Sequence, residues 1–364
     1  MANLFYQRRR FCYAAPMRMP LWIVGLLLAV KVSGAEISFN FSGYPEGAVP
    51  TNFQAVLAGG GQPGAWQIVN AEVPPLLAPL TDRALVVARH GVLAQTGADP
   101  TDERFPMFIF TGEKFRNFKF TTRFKIVGGV TEQMAGVVFR YQNSSNYYVV
   151  RASALGNNIR FYKVVDNVRS DPIGPDVAVT AGDWHALGVQ CEGNQITISY
   201  DGKPVMPALG DNTFTEGLVG FRTKSDALSY FTDAMVDYTP IVPNAQIIVN
   251  SIIEKQPRIL GLRIYTAQTN GTTAVIASKD TAEVGKLGTD AEANAIKDGT
   301  VSFGREKGAV LMTLPLHDRN GEFIGAVRVR LKSFFGETQD TALARARMIV
   351  GQIQDQVLSD KDLL

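Results

Sequence analysis

From residue 134 to 165 the chain alternates between apolar and polar positions in three consecutive runs. Val137 and Phe139 alternate with Val138 and Arg140. Tyr147, Val149 and Arg151 then alternate with Tyr148 and Val150, and Arg160 and Tyr162 with Phe161 and Lys163. A period of two marks strands whose faces meet different surroundings. Asn143-Ser144-Ser145-Asn146 and Gly156-Asn157-Asn158 separate the runs, and Asn and Gly tolerate the backbone of tight turns. The same texture predicts further strands at 36–41, 84–88, 107–110, 119–126, 185–190, 195–200, 217–223 and 227–236, with turns such as Glu192-Gly193-Asn194 and Asp201-Gly202-Lys203-Pro204 between them. Many short strands punctuated by Gly, Pro and Asn predict an all-β sandwich over residues 36–238.

After the proline-flanked segment 239–244 the period changes. Ile247, Ile248, Ile252 and Ile253 are spaced for one face of a helix over 245–254. Strands are expected at 258–265 and 274–278, then a short helix at 289–297 with Thr289 as its cap. Three strands follow, at 301–305, 309–316 and 323–331. His317-Asp318-Arg319-Asn320-Gly321 forms a hairpin turn whose glycine takes positive φ. The last element, 338–358, places Ala346, Ile349, Val350, Ile353 and Val357 on one stripe. Residues 245–364 therefore read as a second, α+β domain.

Residues 1–35 read as an export signal. Arg8, Arg9, Arg10 and Arg18 precede an apolar run at 21–30, and Ser33-Gly34-Ala35 offers a cut before Glu36. The run is too short for a stable membrane span, and Met17 is an alternative start. The formal charge of +2 belongs to this leader. It holds five of the 36 basic residues and no acids, so 31 basic against 34 acidic residues remain, a net −3. Such a chain lacks the broad positive field of a nucleic-acid binder. Cys12 leaves with the leader, and Cys191 is left without a disulfide partner, as a small core residue. The expected location is periplasmic or secreted.

Gly136-Val-Val-Phe-Arg140, Asn146-Tyr-Tyr-Val-Val-Arg151, Asn158-Ile-Arg-Phe-Tyr-Lys163 and Gly217-Leu-Val-Gly-Phe-Arg-Thr-Lys224 resemble a laminin-G/concanavalin-like jelly roll, close to the 3-keto-disaccharide hydrolase-like domain family. Phe221 and Phe231-Thr232-Asp233 stand where a typical member has Trp and Phe-Asp-Asp. Ala274-Val-Ile-Ala-Ser-Lys-Asp280 and Leu314-Pro-Leu-His-Asp-Arg-Asn-Gly-Glu-Phe-Ile-Gly-Ala326 resemble an extracytoplasmic Cache/PAS-like sensor module. The first likeness implies a sugar-binding or sugar-cleaving fold, and the second a sensing or dimerising accessory.

Catalytic chemistry is sparse. A β-sandwich glycosidase presents two carboxylates to the scissile bond, and no strand carries such a cluster. Asp99, Asp102 and Glu103 read as a solvated loop, and Glu132 and Asp166 as isolated surface charges. His90, His185 and His317 are too scattered for a local zinc site. Asp233 and Asp237 are the best oxygen ligands for a structural calcium ion, and no other cofactor is expected. Sugar sites combine flat apolar walls with a few convergent polar groups. Arg140, Tyr147, Arg151, Arg160, Tyr162, Arg222 and Lys224 supply these on strands, and Arg258, Arg263 and Tyr265 could do so in the second domain. The sequence thus predicts an exported protein that binds a carbohydrate or other small polar ligand, with a homodimer or membrane-protein partner for the accessory domain. A glycoside hydrolase or 3-keto-glycoside-cleaving hydrolase is the alternative.

Overall fold

The computed structural model describes residues 34–76, 87–268 and 271–363. The export signal expected at 1–35, as far as Ser33, and most of the strand expected at 84–88 lie outside them. Two antiparallel sheets form an all-β, jelly-roll-type sandwich. The nine-stranded sheet runs Lys203–Pro204, Gln195–Tyr200, Trp184–Glu192, Asn117–Gly128, Leu228–Thr239, Ala88–Gln95 and Trp66–Val73, with Ala35–Phe39 and Leu209–Gly210 paired beside this path. The seven-stranded sheet runs Val168–Arg169, Asn158–Val165, Asn146–Ser153, Met134–Asn143, Leu218–Arg222, Arg104–Phe110 and Phe53–Gly59. Sequence alternation finds most of the longer strands but not Phe53–Gly59 or Trp66–Val73, it meets Ala88–Gln95 only at its first residue, and it starts the Arg104–Phe110 strand three residues late.

The core between the sheets is built of aromatic rings. Phe53 stacks on Phe108 at 5.0 Å and Phe108 on Trp66 at 5.3 Å, while Phe221 meets Phe231 at 4.9 Å. Edge and offset packing of this kind adds to the burial of the rings themselves. Cys191 lies in this core, where burial pushes its thiol up to about 12. The seven-stranded sheet also carries a second apolar layer on its other face, formed by Phe105, Met107, Ile109, Val138, Tyr147, Val149 and neighbours. Both faces of that sheet are therefore dressed, one for packing and the other as the floor of a cleft.

The C-terminal region is a separate small α+β unit. Its five-stranded antiparallel sheet runs Thr273–Ser278, Ile259–Ala267, Phe323–Lys332, Ala309–His317 and Ser302–Glu306. Helices Asn244–Lys255 and Gln339–Gln354 cover one face, and Ala346, Ile349, Val350 and Ile353 are buried there, as is Val357 just beyond the second helix. The long amphipathic stripe therefore packs on its own sheet. Ile247 is 54% exposed, outside the face that the isoleucine spacing assigns it, and Ala245 and Val249 are buried in that face instead. Thr289 and Glu292 form a capping box on the helix Asp290–Asp298, and Gly321 takes φ +84° in its hairpin. Among the described residues no helix is long and apolar enough to cross a membrane. This architecture establishes an α+β unit but not specifically a Cache/PAS sensor.

Candidate functional site

The second face of the seven-stranded sheet opens into a cavity of about 370 Å³. Its geometry follows from register. Arg151 lies across from Gly136 on one side, and Arg222 lies across from Gly136 on the other. Cross-strand partners share a face, so the row places two guanidinium groups on either side of a residue without a side chain. A Cβ at Gly136 would lie 2.6 Å from the Val150 carbonyl oxygen and 3.0 Å from Cβ of Arg151. Tyr162 joins this face through its pairing with Val149, and Arg169 through its pairing with Val164.

The polar groups have distinct partners. Arg151 donates to the Asn158 side-chain oxygen and, at 3.2 Å, to the Tyr162 hydroxyl. Arg169 lies over the Phe105 and Tyr162 rings, 5.5 and 5.3 Å from their centroids. Arg222 is 3% exposed and stacks 4.1 Å over Phe105, and its Nε and Nη2 are buried without a hydrogen-bond partner. Burial presses its guanidinium below the ordinary value, and Arg169 and Arg151 add to this. Lys224, two residues further along the same face, holds Glu132 at 2.9 Å and Asp102 at 2.8 Å, with Glu103 at 4.0 Å. That pairing lowers the Asp102 carboxyl and keeps it ionised, while Lys224 itself is raised, its two carboxylate partners outweighing burial.

A second recess of about 370 Å³ adjoins the first, lined by Ala58, Gly59, Glu103, Tyr147 and Asn167 among others. Phe105, Arg169 and Arg222 line both recesses, so these three residues divide a single two-lobed cleft.

Of the residues singled out from sequence, the structure gathers Arg151, Tyr162, Arg222 and Lys224 around the first lobe and Tyr147 beneath the second. Arg140 is a correction. Its φ is +45° and the pairing registers shift around it, so an extra residue reverses the alternation and turns the side chain off the cleft face. The buried guanidinium donates to the carbonyls of Phe214 at 2.8 Å, Arg116 at 3.3 Å and Gly193 at 2.5 Å. Arg160 has the cleft parity but bends over the sheet edge, where it binds Gly174 O at 2.7 Å, Pro175 O at 2.6 Å and Asp176 at 2.5 Å. Asp233 is also corrected as a calcium ligand, because it sits in another bulge and gives its carboxylate to Arg123 at 2.7 Å. Asp237 borders a separate recess beside Lys119. Among the described residues no group of three His, Cys, Asp or Glu side chains is placed to hold a metal ion.

Four contributors escape the sequence reading: Phe105, Glu132, Asn158 and Arg169. The acidic loop at 102–103 is likewise not merely solvated, since both side chains reach Lys224. The Asp166-Asn167 turn, with φ of +50° and +66°, is a signal that would have found Arg169 by extending the hairpin register two residues.

Residues 55–232 match the family model described as a 3-keto-alpha-glucoside-1,2-lyase-like domain, a span that contains every residue of the cleft. No curated protein matches the chain. Among solved structures, a carbohydrate-binding module of Bacillus subtilis aligns at 15% identity over 47% of this chain and 94% of its own, with a TM-score of 0.36. A native glycosidic hydrolase aligns at 13% identity over 58% and 99%, with a TM-score of 0.33. A galectin-like protein of Bacillus subtilis aligns at 13% over 48% and 89%, with a TM-score of 0.32. The sandwich is similar to a carbohydrate-binding or glycoside-hydrolase-like domain family.

Proposed function

We propose that the two-lobed cleft binds a carbohydrate and cleaves a 3-keto glycoside by elimination across C1 and C2. The observation that carries this reading is Glu132, the one carboxylate lining the first lobe, fixed by Lys224 across from the Arg151–Arg222 pair. A ketone at C3 acidifies the C2 hydrogen, so a positioned carboxylate can remove it. The C1–O bond then breaks, a C1=C2 double bond forms, and the departing alcohol takes a proton from solvent. Arg151, which lines the same lobe, stabilises the negative charge that develops on the ketone oxygen. Direct hydrolysis of an ordinary glycoside needs a protonated acid at the leaving oxygen. Asp102, the second carboxylate at Lys224, is held ionised and suits that role poorly.

The test offers the full chain p-nitrophenyl α-glucoside and its 3-keto derivative. Nitrophenol release from the keto compound alone supports the proposal. Tight binding of both without release would leave a purely recognising module, and binding of neither would remove the carbohydrate reading. Two further parts of the proposal rest on sequence. Export with cleavage before Glu36 is checked by N-terminal sequencing of the mature protein. A Cache/PAS-like sensing or assembly role for the C-terminal unit is supported by its helix–sheet–helix order, and ligand titration of the full chain checks it.

A further inference from the structure

The charges of the cleft are unevenly answered. Elsewhere in the protein, arginines drawn from solvent are answered: Arg123 meets Asp233, Arg263 meets Glu283, Arg328 meets Glu292 and Arg345 meets Glu337, while Arg140, which meets no acid, donates to three backbone carbonyls. At the junction of the two lobes this matching stops. Arg151 spends its hydrogen bonds on neutral groups, and Arg169 has only the exposed Glu103 at 3.4 Å. Arg222 keeps Nε and Nη2 without any hydrogen bond although it is buried. An unanswered buried cation is costly, and it persists where something else supplies the counter-charge.

The geometry of that unpartnered edge narrows the ligand. Nε and Nη2 form the side-on edge of a guanidinium, two parallel N–H groups spaced to meet the two oxygens of one carboxylate. We propose that the cleft takes an acidic carbohydrate, with a sugar carboxylate seated on the Nε/Nη2 edge of Arg222 and Arg169 swinging from the Phe105 and Tyr162 rings to close over it. The inference rests on the reading of the cleft as a carbohydrate site and names the class of sugar it selects. Because Arg169 and Arg222 line both lobes, the acid group sits at their junction. The bond-breaking chemistry then falls in the lobe of Glu132, and the remainder of the ligand lies along Tyr147 and Asn167.

Calorimetric titration of the full chain with methyl α-glucuronide, methyl α-glucoside and glucose 6-phosphate tests this. The glucuronide should bind at least about tenfold more tightly than either of the others, the gap expected when a charge-assisted bidentate pair is made or missing. Arg222→Lys keeps the charge but loses the fork, and should erase that preference. Because Arg222 is buried, Arg169→Gln provides a second variant at an exposed position, and it should weaken the glucuronide about tenfold more than it weakens the glucoside. Equal affinity for glucuronide and glucoside, or tighter binding of the phosphate, overturns the inference while the carbohydrate reading survives. Binding of none of the three overturns both.

Discussion

The carboxylate of Asp226 accepts the backbone N–H of Glu132 at 2.9 Å, and it also accepts the N–H groups of Val130 at 2.7 Å and Thr131 at 3.0 Å. One buried side chain thus fixes the turn that delivers the candidate base to the cleft. Replacing Asp226 by Ala leaves three N–H groups without their acceptor and should cost about 1–3 kcal/mol of stability. Turnover per folded molecule should fall as well, because Glu132 loses its anchor. Urea unfolding together with kinetics on the keto glycoside checks both effects. A variant that is less stable yet fully active would show that the turn is not a positioning device.

Asp226 also sets a pH dependence. Burial works against its charge, but the three donors outweigh burial and lower its carboxyl below the ordinary range. Asp211 behaves likewise: burial is outweighed by Lys163, the Tyr148 hydroxyl and the Thr213 N–H. Groups with depressed folded-state values stabilise the fold above the unfolded carboxylate value of about 4 and lose that contribution as pH falls through the folded value. Urea midpoints should therefore hold steady from neutrality to about pH 4 and decline below it. Asp226→Asn should flatten that decline.

Glu132→Gln preserves shape and removes the base. Turnover of a 3-keto glycoside should fall by about 10²–10⁴-fold with little change in binding. Unchanged turnover would move the base elsewhere in the cleft.

Gly136→Ala puts a methyl group against the Val150 carbonyl and the Arg151 side chain. The expected result is a loss of roughly 1–3 kcal/mol, typical of overpacking, accompanied by weakened binding because Arg151 is displaced. Thermal unfolding and calorimetric titration together read both.

Arg140→Gln separates structure from recognition. The guanidinium bridges carbonyls from three segments, so its loss should destabilise by roughly 2–4 kcal/mol. Ligand affinity of the folded fraction should stay unchanged. A selective loss of affinity would return Arg140 to the site.

Much of this was legible in the sequence. Alternation exposed the strands that carry Arg151, Tyr162 and Arg222, because a residue two places along a regular strand must return to the same face. It failed wherever the period breaks. Arg140 and Asp233 both sit in bulges that a single sequence does not announce. Arg160 has the right parity, but the neighbouring 174–176 segment supplies carbonyls that draw it away. Glu132 reads as an isolated surface charge in the sequence because its role depends on Lys224, some ninety residues distant, and only the closed sheet brings the two together. In the C-terminal unit the isoleucine spacing predicts the helix but misassigns Ile247, since Ala245, Ile248, Val249 and Ile252 form the buried stripe and Ile247 falls outside it.

The wall between the two lobes rests on an edge of the seven-stranded sheet. Arg169 belongs to the outermost strand, where Val168 and Arg169 pair with Val165 and Val164 and the chain then follows the same neighbour through Ser170 and Ile173. Short marginal ribbons fray at far lower free energy than the layers behind them. How quickly a sugar enters and leaves should accordingly follow the peeling of that hairpin, and tightening its Asp166-Asn167 turn would slow exchange without altering what the pocket prefers.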